Sequence, residues 1–215
     1  MSTSLKVFYC FLVVMILNQL LGIETIFGTA PGILPQFPFG WLGILTSPFY
    51  HASWSHLFSN LFPLIFLGWL GQTVTGRNFW IVFIGFWVLG GMGVYFWGRP
   101  VWHIGASGWV YGWISFLFFR GIVLRNKRAF LISLSIAMLY GGAIAGIFPG
   151  VVSVSWESHL FSGLAGLGMA FYKWNQREDQ AEQAEQAPDD ASESFEEVSL
   201  ESPVLPRKDW DEEEV

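Results

Sequence analysis

The stretch IGASGWVYGWISFLFF, residues 104–119, decides the fold of this chain. It is almost wholly apolar and is followed by Arg120, a pattern that predicts a membrane-crossing helix. A helix of about 16 residues, at 1.5 Å per residue, covers roughly 24 Å, which is less than the thickness of a hydrocarbon core of roughly 30 Å. If Arg120 lies at one membrane surface, we therefore expect Ser107 some way below the other. A serine at the start of such a helix is compatible with a cap, a hydrogen bond to a neighbouring helix or a nucleophile.

Other apolar runs lie on both sides of this stretch, at residues 5–23, 51–70, 79–97, 129–148 and 157–174. With residues 104–119 they predict an all-α membrane protein with six transmembrane helices. A cleaved signal peptide is the alternative for the first run, but no clear cleavage site follows it. The segment between the first two runs contains four prolines and several aromatic residues, so we expect it to be irregular and to lie in the membrane interface.

The basic residues indicate the orientation of these spans. If the spans alternate, one side of the membrane receives Lys6, Arg77, Arg120, Arg125, Lys127, Arg128, Lys173 and Arg177. The loops on the other side hold only Arg99. Because cytoplasmic loops are enriched in Lys and Arg, we predict that both termini are cytoplasmic.

Composition agrees with a membrane protein, since 53% of the residues are hydrophobic and 18% are aromatic. Of the 17 acidic residues, only Glu24 and Glu157 precede residue 178. The net charge of −6 therefore belongs to the end of the chain and does not indicate a nucleic-acid partner. We predict a membrane domain over residues 1–177 and a mostly disordered, acidic cytoplasmic tail over 178–215. Cys10 is the single cysteine, so no intrachain disulfide can form.

Polar residues mark the starts of the second, fourth and sixth spans, which all begin on the non-cytoplasmic side if the spans alternate. These residues are His51, His56, Asn60, Ser107, Tyr111 and His159. Polar side chains are costly in lipid and normally face a protein interior or a water-filled cavity. We therefore expect them to lie close together in one leaflet, with His56 and Asn60 on a single helix face.

These residue types permit acyl transfer. A serine hydroxyl becomes a nucleophile when a base takes its proton, and histidine suits that role near neutral pH. We predict a Ser107–His159 dyad in which packing against Tyr111, rather than a carboxylate, positions the imidazole. Glu157 is expected on a different side of its helix from His159. His103 is a rival base, ranked below His159 because it lies in a connecting loop.

Acyl transfer also requires hydrogen-bond donors aimed at the developing oxyanion. His56, Asn60 and the backbone N–H of Ser107 are the candidate donors. A zinc site is the alternative for clustered histidines, but the chain has no His-Glu-x-x-His pattern, no thiolate nearby and no well-placed carboxylate. We therefore expect no metal ion.

The same residues resemble the rhomboid family of intramembrane serine proteases, over about residues 5–174. The pattern His51-x4-His56-x3-Asn60 is similar to the His/His/Asn pattern of the family's second span. Gly105-Ala106-Ser107-Gly108 matches its Gly-x-Ser-Gly motif. Tyr111 stands at the position of the tyrosine that packs on the catalytic histidine, and His159 opens the sixth span as the family's general base does.

The resemblance implies a six-helix endopeptidase that cleaves transmembrane helices of other proteins near the outer face of a lipid bilayer, without cofactors. It implies Ser107 as nucleophile, His159 as base, and His56 and Asn60 as oxyanion stabilisers. His51, Tyr111 and Gly105 are implied as supporting residues. Six spans without a seventh resemble bacterial members, which suggests a plasma membrane.

Three features depart from the family pattern. The first loop, residues 24–50, contains no arginine, Ser158 stands where alanine is common, and Ser162 replaces the first glycine of a Gly-x-x-x-Gly. The alternative function is a catalytically silent rhomboid-like protein that binds membrane helices, although such proteins usually lack the serine or the histidine. A small transporter or channel is a third hypothesis, for which the expected internal repeat is missing. The sequence indicates neither the substrate nor the oligomeric state.

Overall fold

The computed structural model of the protein describes residues 1–22, 32–124, 127–150 and 154–172. Six long helices form in these ranges: α1 (Thr3–Leu21), α2 (Trp54–Thr75), α3 (Phe79–Trp97), α4 (Ser107–Leu124), α5 (Lys127–Tyr140) and α6 (Trp156–Phe171). Shorter helical turns lie at Gly40–Leu42, Gly43–Thr46, Ser47–Phe49, Gly76–Asn78 and Gly141–Ile147. The acidic tail predicted at 178–215 lies outside the described residues.

Four stretches of the described chain are long and apolar enough to cross a membrane: Thr3–Leu21, Trp54–Trp97, Ser107–Leu124 and Lys127–Ile147. The second stretch contains both α2 and α3, which the turn at Gly76–Asn78 separates. Helix α6 occupies the sixth predicted position and is shorter, with 16 residues. The predicted all-α membrane bundle is therefore confirmed.

The start of α2 differs from the prediction. The helix begins at Trp54 because the hydroxyl of Ser53 accepts a hydrogen bond from the backbone N–H of His56 at 3.1 Å, which satisfies one of the free N–H groups of the first turn. His51 consequently lies in the connection before the helix and not on its first turn.

The far end of α4 also differs from the prediction. The helix continues to Leu124 and has 18 residues, so it is not unusually short. Arg120 lies within the last turns of this helix and is buried inside the protein, at 3% exposure. Its guanidinium donates hydrogen bonds to the carbonyls of Ala170 at 2.9 Å and Tyr172 at 3.3 Å. Arg120 therefore binds the carboxyl end of α6, where helix carbonyls lack intrahelical partners.

Helix α4 is central, since it packs on α2, α3, α5 and α6. On one side its Trp109 and Trp113 are buried among aromatic side chains of α3, and the rings of Phe83 and Trp109 lie edge to face with centroids 4.8 Å apart. On the other side α6 approaches so closely that a Cβ at Gly166 would lie 2.3 Å from the carbonyl oxygen of Gly112. Small residues thus allow close contact between α4 and α6, as is typical of membrane helices.

Candidate active site

A cavity of about 790 Å³ lies among the starts of α2, α4 and α6. Its lining includes most of the polar residues predicted to converge: His56, Asn60, Ser107, Tyr111 and His159. His51 is not part of this lining. The three helices therefore bring the candidate nucleophile, base and oxyanion donors to one space.

The imidazole of His159 is held on two sides. Its face stacks on the ring of Tyr111 with the centroids 4.0 Å apart and the planes 5° from parallel. Its Nδ1 lies 2.9 Å from the carbonyl oxygen of Gly146, and a carbonyl can only accept, so Nδ1 carries the proton. In the neutral ring, Nε2 therefore keeps the lone pair that a general base needs.

Gly146 was not among the residues predicted from the sequence. This residue belongs to the helical turn Gly141–Ile147 that follows α5, in the run Gly141-Gly142-Ala143-Ile144-Ala145-Gly146. That run of small residues inside an apolar span was the available signal. The same turn holds Tyr111, whose hydroxyl donates to the carbonyl of Ala143 at 2.8 Å. One segment thus orients both rings of the stacked pair.

Ser107 is the first residue of α4. Its backbone N–H belongs to the first turn, where N–H groups have no intrahelical acceptor. Ser107 and His159 line the same cavity, and no hydrogen bond joins their side chains within the described residues. Catalytic hydrogen bonds are often long without substrate and shorten in the reacting complex.

Gly105 turns the chain into α4. Its φ of +102° lies in a region that favours glycine, and a Cβ there would lie 2.7 Å from the imidazole of His56 and 3.6 Å from the amide nitrogen of Asn60. Both candidate oxyanion donors therefore reach the same side of the turn that carries Ser107. Asn60 is buried at 4% exposure, and its Nδ2 has no hydrogen-bond partner within the described residues.

His51 lies behind this group of residues. It is buried at 1% exposure, its Nε2 accepts a hydrogen bond from the N–H of Ala106 at 3.3 Å, and its ring packs edge to face on His56 with centroids 5.1 Å apart. His51 thus supports the turn before Ser107 and the ring of His56 from outside the cavity.

His103 and Glu157 are engaged elsewhere. The Nδ1 of His103 lies 2.5 Å from the hydroxyl of Ser155, and its Nε2 lies 3.1 Å from the carbonyl of Arg99. Burial lowers the pKa of His103 below its ordinary value, and both ring nitrogens have hydrogen-bond partners. Glu157 is ion-paired with Arg99 and does not orient His159. The side chains of both residues therefore contact groups other than Ser107.

Comparisons with known proteins place the chain in a family. A family model described as Rhomboid domain matches residues 38–176. Similar sequences include uncharacterized proteins of Mycobacterium tuberculosis and Mycobacterium bovis, each 34% identical over 65% of this chain and 62% of the relative. An uncharacterized protein of Mycobacterium leprae is 30% identical over 60% of this chain and 55% of the relative. The chain thus spans less than two thirds of the length of the relatives it matches.

The matched residues contain the short helical turns after position 38 and helices α2 to α6. They include the whole group around the cavity, from His51 to His159. With most of the chain matched by one family model, the chain belongs to the rhomboid family.

Proposed function

We propose that this protein is an intramembrane serine endopeptidase that cleaves transmembrane segments of other membrane proteins. The observation that carries the proposal is the orientation of His159, whose Nδ1 donates to Gly146 while the ring stacks on Tyr111. This orientation leaves the lone pair of Nε2 for the proton of Ser107, which lines the same cavity. A neutral, oriented imidazole beside a serine is what nucleophilic acyl transfer requires.

In the proposed reaction, Ser107 Oγ attacks the scissile carbonyl carbon and its proton passes to Nε2 of His159. His56, the Nδ2 of Asn60 and the N–H of Ser107 stabilise the resulting oxyanion. Collapse of the tetrahedral intermediate breaks the C–N bond, and His159 returns the proton to the leaving amine. A water molecule, deprotonated by His159, then hydrolyses the acyl ester and restores Ser107.

The unpartnered amide of Asn60 further supports this proposal. A buried donor without a partner is costly in a folded protein, and a functional role is one explanation for retaining it. A hydrogen bond to the oxyanion would satisfy the Nδ2 only in the reacting complex. Interactions made only there lower the barrier rather than merely strengthening substrate binding.

The test is labelling of the detergent-solubilised full chain with a fluorescent fluorophosphonate, together with cleavage of a reporter transmembrane segment. Ser107→Ala and His159→Ala should each abolish labelling and cleavage. Ser135→Ala is the matched control, because Ser135 is exposed on α5 and its hydroxyl donates only to Leu131 of the same helix. Full activity in either dyad variant would refute the dyad.

A catalytically silent protein that binds membrane helices is the second candidate. The missing hydrogen bond between Ser107 and His159 is the observation that favours it. If the folded wild type is neither labelled nor able to cut the reporter, but retains it in a pull-down from mixed micelles, this second function replaces the first.

We further propose that the protein spans a bacterial plasma membrane with both termini cytoplasmic. The distribution of basic residues and the mycobacterial relatives support this orientation and location. Reporter domains active only in the cytoplasm, fused at either terminus, should be active. An inactive fusion at a terminus would reverse the proposed orientation.

A further inference from the structure

The connection between α3 and α4 is joined to the start of α6 by an ion pair between Arg99 and Glu157. Two nitrogens of the guanidinium face the two carboxylate oxygens: Nε contacts Oε1, and Nη2 lies 3.2 Å from Oε2. The backbone N–H of Arg99 also donates to Oε1 at 3.2 Å. Such a paired geometry fixes orientation as well as distance.

Further hydrogen bonds join the same two segments. The guanidinium of Arg99 donates to the carbonyl of Val154 at 3.0 Å, and the hydroxyl of Ser155 lies 2.5 Å from Nδ1 of His103. Within the first segment, Nε2 of His103 lies 3.1 Å from the carbonyl oxygen of Arg99. Residues 99–103 and 154–157 are therefore connected by side chain and backbone at several points.

These two segments lead directly to the proposed catalytic residues. His103 is four residues before Ser107, and Glu157 is two residues before His159 on the first turn of α6. Farther along both helices, α4 and α6 contact each other through small residues, such as Gly112 and Gly166. At the helix starts, Gly108 of α4 also lies close to Ser158 and Ser162 of α6, and the Arg99 contacts join the connection before α4 to the start of α6.

Burial makes the ion pair sensitive to loss of either partner. The side chain of Glu157 is 1% exposed, whereas that of Arg99 is 35% exposed. Removing Arg99 would leave a carboxylate buried without its counter-charge, which is strongly unfavourable. Removing both charges together avoids that penalty, so the effect of the ion pair on stability can be separated from its effect on geometry.

We infer that Arg99 and Glu157 are positioning residues that set the separation of Ser107 and His159. The inference rests on the proposed protease function. Glu157 is the one acidic residue near the cavity among the described residues, and the inference gives it the role of placing α6. The imidazole of His159 is oriented instead by the backbone carbonyl of Gly146. A displacement of about 1 Å at a reacting pair lowers a rate by roughly 100-fold.

The experiment measures kcat and KM for a transmembrane substrate, and the rate of fluorophosphonate labelling, at a temperature where every variant is folded. Arg99→Met should lower kcat and the labelling rate by roughly 100-fold with KM within about twofold of wild type. The double variant Arg99→Met/Glu157→Met should regain thermal stability but keep the low kcat. Lys6→Met, which removes an exposed cation from α1, is the control and should match wild type.

Arg99→Lys is the variant that keeps the charge and the fold but loses the paired geometry, and its kcat should fall between those of wild type and Arg99→Met. Wild-type kcat in Arg99→Lys, or a double variant whose kcat returns together with its stability, would overturn the inference while leaving the protease proposal intact. A folded wild type that neither cleaves nor labels would overturn both.

Discussion

The imidazole of His159 lies flat against the ring of Tyr111, 4.0 Å away, while its Nδ1 points to the carbonyl of Gly146. In the proposed dyad, this backbone carbonyl takes the place that a carboxylate has in a serine protease triad. A carbonyl is neutral, so it selects the tautomer of the ring without strongly stabilising the imidazolium. The stacked ring and the carbonyl together define the direction of Nε2.

The Tyr111 ring is expected to matter more than its hydroxyl. Tyr111→Phe keeps the stacked face and loses one hydrogen bond to Ala143, so kcat should stay within about threefold of wild type. Tyr111→Ala removes an aromatic contact of about 0.5–1.5 kcal/mol and frees the imidazole, so kcat should fall roughly tenfold or more. Steady-state cleavage of both folded variants checks this order. Equal kcat values for Phe and Ala would show that the ring does not orient His159.

Gly146 is expected to tolerate no side chain. A Cβ there would lie 2.0 Å from the hydroxyl of Tyr111 and 3.2 Å from Nδ1 of His159, so Gly146→Ala must displace one of the two rings. Gly142→Ala is the matched control, since it lies in the same turn and its Cβ would meet nothing within 4 Å. Fluorophosphonate labelling should be lost in the first variant and retained in the second. Retained labelling in Gly146→Ala would show that close packing of this turn on Tyr111 and His159 is not needed to orient the imidazole.

Asn60→Ala should separate catalysis from stability. Loss of one oxyanion donor typically costs about 2.7–4 kcal/mol of barrier, a roughly 100- to 1000-fold loss of kcat. The thermal stability should stay near wild type, because the deleted amide nitrogen has no hydrogen-bond partner among the residues that the structure describes. Thermal unfolding in detergent and cleavage kinetics, measured on the same preparation, check both parts. A large fall in stability without a loss of kcat would make Asn60 a structural residue.

Much of the fold was predictable because apolar length and the spacing of basic residues are local signals. The runs at 79–97 and 104–119 correspond to α3 and α4, and the sequence order alone placed Ser107 and His159 at helix starts. The convergence of these starts also followed from alternation of the spans, which needs no knowledge of side-chain contacts. The first residue of α2 was harder to predict, because it depends on the hydrogen bond that the Ser53 side chain makes as helix cap.

The partners of individual polar groups were not predictable. Arg120, for example, binds backbone carbonyls at the end of α6. Such a carbonyl has no signature in the sequence, because every residue has one. Gly146 could not be predicted for the same reason, because it contacts His159 through its backbone carbonyl oxygen. The Arg99–Glu157 ion pair joins residues 58 positions apart, and no periodicity links them.

Close packing of α4 against α6 gives a prediction of stability rather than catalysis. Gly166→Ala would place a Cβ 2.3 Å from the carbonyl oxygen of Gly112, and backbone cannot yield as a side chain can, so the helices must separate. Overpacking of this kind costs about 1–3 kcal/mol. Gly168→Ala, two residues along the same helix, would meet nothing within 4 Å and should be neutral or slightly stabilising, as alanine favours helix over glycine. Thermal unfolding in detergent should therefore show a lower Tm for Gly166→Ala alone, and equal Tm values would mean that α4 and α6 pack less closely than the backbone contact implies.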